Sequence, residues 1–119
     1  MIEILREVNF EVNKLPYKAD TALYNTPEFW EKISDQGGDC EDFALGKYYR
    51  LLDKGIQPEK MRLATCWVET GEYHCVLLVD DEHTTYVLDN RYAFPTEYYL
   101  LPYKWHKFQI AGTNQWELA

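Results

Sequence analysis

Basic residues are scarce in this sequence. Twelve Lys and Arg stand against twenty Asp and Glu, a formal net charge of −8, and nothing gathers them into the basic patch that nucleic-acid binding requires. Long apolar runs are missing, which excludes a membrane-spanning helix. Met1-Ile2-Glu3-Ile4-Leu5-Arg6-Glu7 has neither the basic head nor the apolar core of an export signal. The chain is therefore expected to be cytoplasmic as made, unless carried out as part of something larger. Cysteine is sparse too. Three residues without framework spacing exclude a disulfide scaffold and fit thiols in a reducing compartment. Internal repeats and low-complexity tracts are absent.

What is present suffices for one compact domain spanning residues 1–119. At 46% hydrophobic content, a chain of this size buries about two-thirds of its unfolded surface. Ten Tyr and four Trp supply either a well-anchored core or an adhesive groove, and composition does not choose between them.

Leu5, Val8, Val12 and Leu15 step by three and four, predicting a first helix that ends before Pro16. Thr26-Pro27-Glu28-Phe29-Trp30 reads as a short helix start, with Phe29, Trp30 and Ile33 inward. Gly37-Gly38 ends a loop, Asp39 is a candidate N-cap and Cys40 takes the first helical position. Phe43, Ala44, Tyr48, Leu51 and Leu52 then form an apolar face until Lys54-Gly55 and Pro58 close the helix. A thiol at a helix N-terminus sits where unpaired N–H groups and the positive dipole end favour a thiolate. The same N–H groups suit the oxyanion of an attacked carbonyl. A buried cysteine that merely begins a helix is the plainer alternative.

After Pro58 the period changes to two. Met61–Glu69 predicts a strand with Met61, Leu63, Thr65 and Trp67 on one face and Arg62, Ala64, Cys66 and Val68 on the other. Tyr73–Val79 is apolar enough for a central strand, and Thr84–Leu88 returns after a polar turn. Tyr103–Ile110 suggests a further strand, Gly112-Thr113-Asn114 a turn, and Trp116 a late core residue. Helices first and strands after give an α+β fold, with the cysteine helix packed on an antiparallel sheet.

The second hairpin carries a specific expectation. A loop centred between Asp81 and Glu82 pairs Val79 with Thr84 and Leu77 with Tyr86, which sets His74 opposite Asp89 on one face. A carboxylate beside an imidazole fixes its tautomer and stabilises its charged form. Cys40 as nucleophile, His74 as proton carrier and Asp89 as its orienting acid make an arrangement for acyl transfer. A strand histidine and a turn aspartate with no chemistry are the alternative.

Val8-Asn9…Val12-Asn13…Tyr17…Asp20, Thr26-Pro27-Glu28-Phe29, Gly38-Asp39-Cys40-Glu41-Asp42-Phe43-Ala44, His74-Cys75-Val76-Leu77 and Val87-Leu88-Asp89-Asn90 occur in that order. Over roughly residues 8–92 this pattern resembles the bacterial transglutaminase-like cysteine proteinases, whose best-known members are periplasmic proteases that cut surface adhesins. The resemblance implies a papain-like core and matches Cys40, His74 and Asp89 to the family's catalytic triad. Those adhesin-cleaving members are longer and exported. This chain resembles a minimal version, of a kind also encoded by bacteriophages, and the adhesin substrate does not carry over.

Asp39, Glu41 and Asp42 raise a physical problem, because negative charge beside a thiolate opposes its formation. Either these side chains serve the helix start or a cation neutralises them. The resemblance implies calcium, matched to Asp39 and Glu41 with Asp42 as a third candidate, and hard oxygen donors suit that ion. Cys66 and Cys75 read as inert core residues. A zinc site drawn from Cys40, Cys66, His74 and Cys75 lacks paired ligand spacing. His83 reads as a turn residue, His106 as the substitute base if the hairpin register differs, and Asn90 as a polar neighbour of the site.

The expected function is hydrolysis of an amide bond in a protein or peptide, with no nucleic-acid or membrane partner. Transamidation or deamidation by the same triad stays open, since water or an amine can resolve an acyl-enzyme. So does a binding or assembly module, such as a virion component, that keeps the fold and uses its aromatic surface for a partner. Substrate identity and oligomeric state are not legible.

Overall fold

The computed structural model describes residues 1–14, 39–113 and 115–119, with the side chains of 39–42 outside the described set. Among the described residues are helices α1 (Ile2–Asn13) and α2 (Asp39–Asp53). They are followed by strands β1 (Met61–Trp67), β2 (Tyr73–Asp80), β3 (Thr85–Leu88), β4 (Thr96–Glu97), β5 (Lys104–Gln109) and β6 (Trp116–Leu118). The strands form one sheet in the order β4-β3-β2-β1-β5-β6, every neighbouring pair antiparallel. The fold is α+β, helices preceding strands as expected. Leu15, the expected short helix at Thr26–Trp30 and Asn114 of the expected turn lie outside the described residues.

Leu5, Val8 and Val12 of α1 are buried, as their spacing requires. Helix α2 departs from expectation in an informative way. Phe43, Ala44, Leu45, Lys47 and Tyr48 are all buried, too wide an arc for a helix with one wet face, so α2 is a core helix. Its end is held by Gly55 at φ +93°, where the Ile56 N–H reaches Leu51 O at 3.0 Å and the Gly55 N–H reaches Leu52 O at 3.0 Å. That pairing satisfies carbonyls the last turn leaves open, and it needs the left-handed backbone that glycine adopts without strain.

Strand alternation sorts the sheet into two layers. Met61, Leu63, Cys75, Leu77, Val79 and Leu88 join the helices in one core. Ala64, Cys66, Val68, Val76, Leu78, Val87 and Tyr103 form a second core on the opposite face. The two faces expected for β1 are the two observed. Each fully buried leucine, such as Leu51, Leu63 or Leu77, contributes about 2–3 kcal/mol by leaving water. In β5 the pairing steps from Thr65–Lys107 to Cys66–Trp105, leaving His106 as the extra residue of a bulge. The bulge lets Trp105 and Phe108 pack on the same second core although their numbers differ in parity. Strand β4 and the short helical turn at Tyr98–Leu100 have no counterpart in the sequence reading.

Candidate active site

His74 is the second residue of β2, beside Cys66 of β1. Its neighbour Cys75 joins the helix-side core, so alternation directs His74 to the other face with Val76 and Leu78. Asp89 follows the last residue of β3, just past the ladder. The His74 ring meets it there, Nε2 to Oδ1 at 2.7 Å, with Asp89 1% exposed and His74 8%. An ionised carboxylate only accepts, so Nε2 carries the proton and donates.

The hairpin register differs from the expected one. Val79 pairs with Tyr86 and Leu77 with Leu88, a slip of two residues, because the turn is centred between Glu82 and His83. A slip of two keeps every side chain on its face. Asp89 therefore becomes the diagonal neighbour of His74 instead of its direct opposite, within reach of a long side chain.

Three further donors and ions complete the surroundings of Asp89. The Tyr103 hydroxyl donates to Oδ2, and the Arg91 N–H donates to Oδ1 at 3.0 Å, closing a local aspartate turn. The Arg91 guanidinium forks onto Glu69, Nη1 to Oε1 at 2.9 Å and Nη2 to Oε2 at 2.7 Å, while Nη1 also donates to the Tyr103 oxygen at 3.1 Å. Tyr103 thus receives from Arg91 and gives to Asp89. Burial alone would push the Asp89 carboxyl up. The hydrogen bond and charge of His74, then Tyr103 and the Arg91 N–H, outweigh burial and hold it below the usual carboxylate range. Burial and the Asp89 bond raise Tyr103, so it stays a phenol and a donor. The Arg91 hydrogen bond draws Glu69 down to about 2.

Lys47 of α2 is fully buried, and the charge of Asp89 acts on it. Its Nζ has no hydrogen-bond partner. Burial lowers it to about 7 against the opposing pull of Asp89. Asp89 is thus bonded to His74, Tyr103 and the Arg91 N–H, and its charge also acts on the buried Lys47.

Cys40 is the second residue of α2, since the helix begins at Asp39 and not after it; its side chain and those of Asp39, Glu41 and Asp42 lie outside the described residues. His83 is exposed in the turn. His106 engages Tyr73, Nδ1 to hydroxyl at 2.6 Å, and packs against Trp67; Asp89 has His74 as its imidazole. Asn90 Oδ1 is buried without a hydrogen-bond partner. Cys66 and Cys75 are buried in β1 and β2. Among the described residues no group of three or more His, Cys, Asp or Glu is placed to hold a metal; the zinc alternative includes Cys40, whose side chain lies outside them. No described helix is long and apolar enough to cross a membrane. Phe94, Tyr98, Tyr99 and Leu100 are exposed around β4, which is where an aromatic contact surface would lie.

Sequence reasoning missed Lys47, Tyr103, Arg91 and Glu69. Lys47 had a signal: it lies three after Ala44 and four before Leu51, on the apolar face itself. Tyr103, Arg91 and Glu69 converge from three separate segments, and nothing local announces that.

No curated protein matches the sequence. Among solved structures the chain is similar to LapG of Legionella pneumophila in its calcium-bound form, at 27% identity and a TM-score of 0.73, over 98% of this chain and 68% of LapG. The EGTA-treated form of LapG matches at 27% identity and a TM-score of 0.72, over 98% of this chain and 66% of the other. The family model for the bacterial transglutaminase-like cysteine proteinase matches residues 1–118. The chain belongs to that family of cysteine proteinases.

Proposed function

We propose that this chain is, over its whole length, a peptidase domain that cleaves amide bonds through Cys40, His74 and Asp89. The observation that carries the reading is the buried His74–Asp89 bond of 2.7 Å in a chain whose helix α2 opens at Asp39-Cys40. Two arguments support a start of α2 close to that pair. Helix α2 ends at Asp53 and β1 begins at Met61. A fifteen-residue helix and a seven-residue strand are each about 20 Å long. Folded back on each other, they set the start of α2 near the Trp67–Tyr73 hairpin, beside His74. Lys47 also lies seven residues, two turns, beyond Cys40 on one helical stripe, and its side chain leans toward the helix start and Asp89. This reading requires the sulfur and the ring to meet at the end of the sheet, because His74 lies on the face away from the helix-side core.

The thiolate of Cys40 attacks the peptide carbonyl carbon, and the first N–H groups of α2 face the oxygen as it gains charge. With Nε2 committed to Asp89, Nδ1 of His74 is the position that exchanges a proton. It protonates the leaving amine as the C–N bond breaks, then takes a proton from the water that resolves the thioester. Asp89 keeps the ring in that tautomer and stabilises the imidazolium. Asp39, Glu41 and Asp42 are the residues that would hold calcium, and three carboxylates within four positions fit that ion's preference for hard oxygen donors. Bound there, calcium supplies the positive charge that offsets carboxylates beside a thiolate.

The test is cleavage of a proteome-derived peptide library, with new termini identified by mass spectrometry. Cleavages present with the unsubstituted protein and abolished by Cys40→Ser and His74→Ala are expected. A peptide pattern unchanged by Cys40→Ser would overturn the reading.

A further inference from the structure

The Val8-Asn9…Val12-Asn13 pattern of α1 has no part in the chemistry above. Its valines are core residues, while the asparagines, four apart, share a neighbouring face of the helix. The Asn9 amide donates to Tyr92 O at 3.0 Å and Ala93 O at 3.1 Å. The Asn13 amide donates to Asp89 O at 3.1 Å and Tyr92 O at 3.1 Å. Each amide has two N–H groups, so every donor is used, and the Tyr92 carbonyl accepts from both residues. Within the loop, the Tyr92 N–H reaches Asp89 O only at 3.4 Å, which is weak on its own.

We propose that Asn9 and Asn13 are positioning residues for Asp89, holding the loop that carries it by its main-chain carbonyls. The inference rests on reading Asp89 as the orienting acid of His74. Asp89 is then gripped at both ends, its carbonyl by Asn13 and its carboxylate by His74, Tyr103 and the Arg91 N–H. Stability alone does not account for amides here. Oδ1 of both asparagines is buried without a partner, a cost that offsets much of what the four bonds contribute. An apolar side chain would fill the same helix face without that cost. What an apolar side chain does not do is fix three carbonyls of a turn, and an orienting carboxylate needs its supporting shell fixed.

The experiment compares Asn13→Leu and Asn13→Ser with the unsubstituted protein. Two readouts are taken: kcat and KM on a peptide whose cleavage Cys40→Ser abolishes, and the Nε2–H resonance of His74 in histidine-labelled protein, which reports its bond to Asp89. Expected are folded variants with kcat lowered about tenfold to a hundredfold, KM within about twofold, and an Nε2–H signal shifted upfield or broadened by exchange. Wild-type kcat and an unchanged signal in either folded variant would overturn the proposal. Failure of both to fold would also overturn it, in favour of a purely structural amide. The resonance needs no substrate. If no peptide is cleaved the peptidase reading fails and the clamp is still decided, whereas a failed clamp leaves cleavage intact.

Discussion

Replacing Lys47 with methionine is expected to stabilise the protein at and below neutral pH. The ammonium is fully buried without a hydrogen-bond partner, and burial lowers it from 10.5 to about 7 although Asp89 pulls the other way. The sign follows from proton uptake. Below pH 7 both states are protonated and the folded state bears the whole cost of a buried charge. Between 7 and 10.5 the unfolded chain binds more protons than the folded one, so stability rises with pH through that window. The gap from 10.5 to 7, at about 1.4 kcal/mol per pH unit, sets a ceiling of about 5 kcal/mol. Methionine loses the attraction to Asp89 and packs imperfectly, so a net gain of about 1–3 kcal/mol at pH 6 is expected. That raises Tm by roughly 4 °C per kcal/mol. Urea melts at pH 6, 8 and 9.5 measure it, and the difference between the two proteins isolates Lys47 from other titrating groups. The advantage of the variant should shrink toward pH 9.5. A variant less stable at every pH by a constant amount would refute the reasoning, because it would mean a charged, well-partnered lysine.

Two further outcomes concern the site. Tyr103→Phe removes a hydrogen bond to an ionised carboxylate and is expected to cost about 1.5–3 kcal/mol at pH 7. Asp89 is held low in the folded state, so its contribution is present at neutral pH and lost as pH falls through that folded value. With phenylalanine the loss should begin at higher pH in acid titrations of stability, and an unmoved acid limb would count against the bond. Calcium addition should raise Tm of metal-stripped protein and EGTA should reverse it, with Asp39→Asn and Glu41→Gln blunting the response; identical melting in both conditions would remove calcium from the account.

Much of this was legible because the relevant residues signal locally. β1 has two apolar faces in its period-two pattern, Gly55 ahead of Pro58 closes the cysteine helix, and the helix emerges within a residue or two of its expected bounds. The His74–Asp89 contact emerges for a subtler reason. The turn between β2 and β3 has no glycine to mark its centre, since Asp81-Glu82-His83 is polar throughout, and the expected register misses by two. Period-two alternation makes that error harmless to the face, and Asp89 stays within reach. Other features leave no local trace. β4 is two residues long beside Pro95, defined by its partner instead of its own pattern. The Glu69–Arg91–Tyr103 chain closes only when three turns are brought together. Lys47 is hidden by the usual assumption that a lysine on a helix points to water.

The central claim is that the Cys40 sulfur and the His74 ring act as a pair. The most direct measurement is the rate of iodoacetamide alkylation of Cys40 from pH 4 to 9, followed by peptide mass spectrometry, in the unsubstituted protein and in His74→Ala. Cys40 is expected to react well ahead of Cys66 and Cys75 into mildly acidic pH, and the variant to show the later onset of an ordinary thiol. The same pH profile with and without the imidazole would contradict it.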